Sequence, residues 1–160
     1  MEGKIADTMQ ANERRSQYPF FIQDQYVKDL TFENPNFLVK YTENPEQPEV
    51  AINVETRISK IDENNYEVVL DTSVKSKMAA HDLFILELSY AGLVSIATNI
   101  ENEALEPVLF VHCPFLMFPF VRELIANMTR VGGYPPLLME PIDFASLYIE
   151  KKKQSQQANG

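Results

Sequence analysis

The stretch from Val50 to Val74, VAINVETRISKIDENNYEVVLDTSV, decides the fold class. Val50, Ile52, Val54 and Ile58 fall on even positions, with Asn53, Glu55 and Arg57 between them. Tyr66, Val68, Leu70, Thr72 and Val74 repeat the pattern, with Glu67, Asp71 and Lys75 on the odd side. Successive side chains on a strand point to opposite faces, so period two predicts two half-buried β-strands. Asp62-Glu63-Asn64-Asn65 between them is turn chemistry, because Asp and Asn side chains hydrogen-bond the nearby backbone. The stretch therefore predicts an antiparallel hairpin.

Two further strands flank it. Phe20 to Phe32 alternates, and Leu83 to Ala97 is more continuously apolar, which predicts a more buried strand with Gly92 marking a bend or bulge. Asn34 to Pro48 carries three prolines and reads as a long loop. Beyond residue 100 the period changes. Phe120, Leu124, Met128 and Val131 recur at three and four residues, predicting a helix that opens near Pro119 and ends at Gly132-Gly133. A start nearer Pro114 would require a kink at Pro119. A last helix opens with Asp143 as N-cap and carries Phe144, Leu147 and Tyr148 as its stripe. Four strands followed by two helices is an α+β fold, an antiparallel sheet with the helices on one face. Residues 18–150 form the folded body, between a flexible arm over 1–17 and a flexible polar tail over 151–160.

Parity also sorts the two faces of the sheet. Phe84, Leu86, Leu88 and Tyr90, with Leu30 and Phe32, make one face apolar and ready for the helices. Asp29, Glu33, Glu55, Glu67, Asp71 and Glu87 fall on the other, offset by Arg57 and Lys75, with the apolar Ile85 in their midst. Either this is a solvated face, or acid around an exposed apolar spot docks a basic partner.

Composition narrows the function. The 160 residues hold 14 Lys and Arg against 23 Asp and Glu, a net charge of −9 that argues against nucleic-acid binding. One cysteine, Cys113, excludes an internal disulfide and fits a reducing cytosol, and two histidines are too few for a zinc cage. The longest apolar run, Val108 to Val121, is 14 residues long and interrupted by His112, Pro114 and Pro119. A spanning helix needs about 20, so no membrane insertion is expected. The first 17 residues are polar and carry neither a signal peptide nor an anchor. No nucleophile sits beside a base: His112 and Cys113 are sequence neighbours whose side chains diverge. The five glycines build no phosphate loop. An enzyme is not expected, nor a cofactor or metal; a small hydrolase using Cys113 is the remote alternative.

The segments YVKDLTFENPN (26–36), QPEV (47–50), YEVVL (66–70), FPFVRELI (118–125) and GGYPPLLMEPIDFASLY (132–148) together resemble the SecB family. The resemblance implies an ATP-independent holdase of the bacterial cytosol, a dimer of dimers that keeps precursor proteins unfolded and delivers them to the SecA motor. Matching YVKDLTFE and FILELSYAG places the family's SecA contacts at Asp29, Glu33, Ile85 and Glu87, all on the face that parity marks as acidic. Client binding in the family uses a groove beside the long loop and the last helix. Here these offer Phe37, Leu38 and Tyr41, and Phe144, Leu147 and Tyr148. The chain departs from the family in having no Trp before QPEV and in ending on the short, basic KKKQSQQANG. The missing ring leaves Phe37, Tyr41 or the aromatics Tyr18, Phe20 and Phe21 to line the groove. A SecB-like chaperone dedicated to one partner, such as an antitoxin, is the alternative within the binding class.

Overall fold

The computed structural model describes residues 18–42 and 46–160. The expected arm, and Glu43 to Pro45 in the long loop, lie outside the described residues. Four strands, β1 (Phe20–Glu33), β2 (Glu49–Lys60), β3 (Asn65–Met78) and β4 (His81–Ile96), form one antiparallel sheet in the order β1-β4-β3-β2. The predicted hairpin is β2–β3, and Asp62 closes it by accepting from the backbone amides of Asn64 and Asn65. β1 and β2 occupy opposite edges, so the connection between them crosses the width of the sheet. That is three strand spacings, roughly 14 Å, which explains why the loop is long. It contains one turn of 3₁₀ helix, Phe37–Tyr41.

The sheet presents Val68, Leu70, Val74, Leu86, Leu88 and Val94 to a single helical layer, and all are buried. Here the structure corrects the sequence reading of the first helix. It does not open near Pro114 or Pro119; α1 runs unbroken over Asn102–Val131. One widened π turn, Val108–His112, lies within it. A proline inside a regular helix clashes with the carbonyl four residues back. For Pro114 that carbonyl belongs to Phe110, inside the widened turn, where the spacing is relaxed. The stripe on the sheet is Cys113, Met117, Val121, Ile125 and Thr129, each fully buried. Phe120 and Val131, assigned to that stripe from the sequence, are exposed on the flank. By length and composition alone α1 could cross a membrane, so the 14-residue limit drawn from the sequence was too short; here it is the core helix over the sheet.

Gly92 is likewise not a bend. It pairs regularly with Val68 on one side and Gln25 on the other. A Cβ there would sit 3.0 Å from the Met117 sulfur, so the missing side chain lets α1 approach. The irregularities fall on the partner strand, between Ile22 and Asp24 and between Val27 and Asp29. α1 ends at Gly132-Gly133; Gly133 takes φ +94° with the Phe37 ring against it, a place no β-carbon fits. The second helix, α2 (Phe144–Ala158), opens on Asp143, whose carboxylate accepts from the Ser146 amide, as expected. It runs on through 151–158, within the stretch expected as a flexible polar tail.

Candidate functional site

The outer face of the sheet is built rung by rung. Asp29 lies opposite Ser89, Ser89 opposite Asp71, and Asp71 opposite Glu55. The next rung is Thr31, Glu87, Ser73 and Asn53, and the next is Glu33, Ile85, Lys75 and Ala51. Asp29, Glu33, Ile85 and Glu87 therefore share one patch over β1 and β4. The bulge between Val27 and Asp29 flips strict parity before it: Val27 lies opposite the buried Tyr90, and Tyr26 opposite Ala91 on the outer side. Short Ser73 and Ser89 leave a shallow hollow of about 270 Å³, rimmed by Asp29, Glu55, Asp71 and Glu87.

The carboxylates of this face fall into two groups. Asp71 is gripped by the Arg57 guanidinium at 3.0 and 3.3 Å and accepts from the Ser89 hydroxyl at 2.6 Å. Burial pushes its carboxyl up, but these contacts outweigh that and hold it below the usual carboxylate range. Glu67 takes the Lys28 ammonium at 2.8 Å and the Tyr26 hydroxyl, and both lower its pKa. Tyr26 in turn is pushed up to about 12, first by burial and then by Glu67. Asp29, Glu33, Glu55 and Glu87 are exposed and have no ion-pair or hydrogen-bond partner among the described residues. Three of these four are residues singled out from the sequence.

The six expected groove residues separate. Phe37 is half-buried in a ladder of rings, edge-on to Tyr134 at 5.4 Å, which packs on Phe84 at 4.9 Å and so on Phe32. It ties the turn to the core, and Asn34 reinforces the joint by donating to the Gly132 carbonyl and accepting from the Tyr134 hydroxyl. Leu38 and Tyr41, by contrast, are 74% and 72% exposed. Phe144 is buried edge-on against Phe118. Tyr148 stacks on Phe110 at 5.6 Å, with its hydroxyl on Glu106. Leu147 lines two hollows, one of about 390 Å³ with Phe110 and Tyr148 and one of about 540 Å³ with Ile52, Val54 and Leu138. Neither hollow includes Phe37, Leu38 or Tyr41.

Two apolar residues of this surface were not found from the sequence. Ile52 looked like a core position, yet β2 is an edge strand and leaves it 44% exposed. Leu138 lies in the extended segment after α1, where Leu137, Leu138 and Met139 alternate half-buried, exposed and buried. The sequence itself shows no alternation there; the available signal was three consecutive apolar residues bounded by prolines.

Cys113 is fully buried, and burial pushes its thiol up to about 12, which removes the thiolate a nucleophile needs. Its sequence neighbour His112 is exposed and stacks on Phe20 at 6.4 Å.

Residues 13–155 match the family described as preprotein translocase subunit SecB. The protein-export protein SecB of Rhodopseudomonas palustris is 41% identical over 133 residues, covering 83% of this chain and 84% of that one. Its counterpart in Paramagnetospirillum magneticum is 44% identical over 125 residues, covering 78% and 79%. The fold is similar to that of a SecB-like chaperone of Mycobacterium tuberculosis, solved in complex with a peptide from the HigA1 antitoxin. That likeness has a TM-score of 0.65 at 14% identity, and covers 85% of this chain and 99% of that one. With a family match over most of its length and relatives above 40% identity, the chain belongs to the SecB family and is a chaperone for protein export, not an enzyme.

Proposed function

We propose that the protein is an ATP-independent holdase of the cytosol that keeps secretory precursors unfolded and passes them to SecA. The client side works by burial. Unfolded chains expose apolar segments, and covering them gains roughly 25 cal/mol per Å² of apolar area. Leu38, Tyr41, Leu138, Ile52 and Leu147 offer exposed apolar surface for this. The SecA side works by charge, through Asp29, Glu33 and Glu87 around Ile85. The observation that carries it is the division of the outer face. Among the described residues these carboxylates are unpartnered, whereas Glu67 and Asp71 already hold cations. Unpaired exposed acid steers a basic partner and sets specificity.

A dimer of dimers is the assembly this reading requires. Phe115, Leu116 and Phe120 on the exposed flank of α1 support it, because an apolar helix face in water favours association. Light scattering should return about four times the 18.3 kDa of the chain, and a stable monomer would remove that assembly. The function is tested by mixing the protein with an unfolded precursor and SecA together. The client surface and the acidic face are built from different residues, so both should bind at once. Mutual exclusion of precursor and SecA would defeat the reading, and capture of one antitoxin alone would move it to the dedicated chaperone.

A further inference from the structure

The exposed turn Phe37–Tyr41 is held by an arrangement that neither the sequence nor the family membership assigns. The Lys40 ammonium donates to the Gly133 carbonyl at 2.9 Å. It lies 3.8 Å from the centre of the Phe37 ring, 5.2 Å from Tyr41 and 5.4 Å from Tyr134. Among the described residues, three rings and one carbonyl surround the cation, and no carboxylate is among its partners. Gly133 lies past the last residue of α1, so its carbonyl has no partner within the helix and is free to accept. Phe37 and Tyr134 belong to the ring ladder anchored in the core, while Tyr41 belongs to the exposed tip. The ammonium therefore links the anchored end of the turn to its exposed end, reinforcing the direct edge-on contact of the Phe37 and Tyr41 rings at 6.2 Å.

We propose that Lys40 is a positioning residue for client capture, its ammonium fixing the pose in which Leu38 and Tyr41 meet the unfolded chain. This rests on the reading above that the turn is part of the client surface. No residue of the turn is buried, so the global fold does not depend on the link. The pose does, because cation–π attraction needs the positive charge and not the stem alone. A binding surface that is only partly in its competent pose loses apparent affinity by that fraction. Arginine at the same place keeps the charge, stacks on rings and donates to carbonyls, so it should restore the pose. Methionine fills the same space without charge.

The experiment uses the full chain and reduced, carboxymethylated lactalbumin, a permanently unfolded protein, as client. Lys40→Met should weaken capture about threefold to tenfold, with melting temperature and oligomer mass unchanged. Hydrogen exchange at the Thr42 amide, which donates to the Val39 carbonyl at 3.1 Å, should speed up in the same variant. Lys40→Arg should return both readouts to within about twofold of the parent, as charge-dependent positioning requires. If Met and Arg weaken capture equally, the charge is irrelevant and the inference is overturned. It is also overturned, with the client reading intact, if Lys40→Met captures normally while a Leu38→Ser, Tyr41→Ser double variant does not. If that double variant captures normally too, the client reading of the turn falls together with the inference.

Discussion

Reversing the charge at Glu87 tests the acidic face most directly. Glu87 lies opposite Thr31 on β1 and Ser73 on β3, is exposed, and has no cation of its own among the described residues. In water, two unit charges 4 Å apart interact by about 1 kcal/mol. Glu87→Lys removes one such attraction and adds one repulsion, a change of about 2 kcal/mol, or roughly thirtyfold in affinity. Salt screens exposed charges with a Debye length of about 8 Å at physiological strength, so the ratio should shrink as salt rises. Folding should barely respond. The unpartnered neighbours Asp29 and Glu33 are negative, so a lysine among them relieves repulsion, and stability should stay within about 0.5 kcal/mol. The assay is calorimetric titration of SecA into parent and variant at low and at physiological salt, with urea unfolding and client capture measured beside it. SecA binding within about twofold of the parent, or loss of client capture instead, would refute the assignment of this face.

Three other outcomes follow from the packing and the charges. Thr129→Val removes the hydroxyl that accepts from the Leu137 amide at 2.9 Å, and leaving that amide unpaired should cost about 1–3 kcal/mol in urea unfolding with little change in slope. Asp71 has a folded-state pKa below its unfolded value, so its contribution is full above about pH 4 and is lost as pH falls through the folded pKa. Arg57→Gln should flatten the acid side of a stability–pH profile. Cys113 should resist a thiol reagent at mildly alkaline pH until denaturant is added, and prompt labelling of the native protein would contradict its burial.

The sheet was legible in the sequence because β3 and β4 are central strands with one buried and one wet face, the condition under which alternation fixes register. The failures have identifiable causes. β1 carries two bulges, which no periodicity announces, so strict parity holds from Asp29 onward and would put Val27 and Tyr26 on the wrong faces before it. In α1 the prolines looked like breakers because a widened turn that relaxes the contact behind Pro114 has no signature in residue type. Its flank carries apolar Phe120 and Val131 at helical spacing, which imitates a core stripe.

The acidic patch and the client surface differ in how much geometry their recognition requires. A patch on a regular sheet needs only the register: once Glu33 and Ile85 are opposite one another, the charges around them are shared by construction. The proposed client surface is assembled from a 3₁₀ turn, an extended segment after α1, an edge strand and α2, whose relative placement depends on packing. Within one turn, Phe37 went inward to Tyr134 while Leu38, the very next residue, stayed 74% exposed. The deciding feature lies almost a hundred residues away, where Gly133 leaves room for the Phe37 ring. The ring that looked most like a client contact is thus the one that holds the turn in place, and the contacts proposed for an unfolded chain, Leu38 and Tyr41, both follow it.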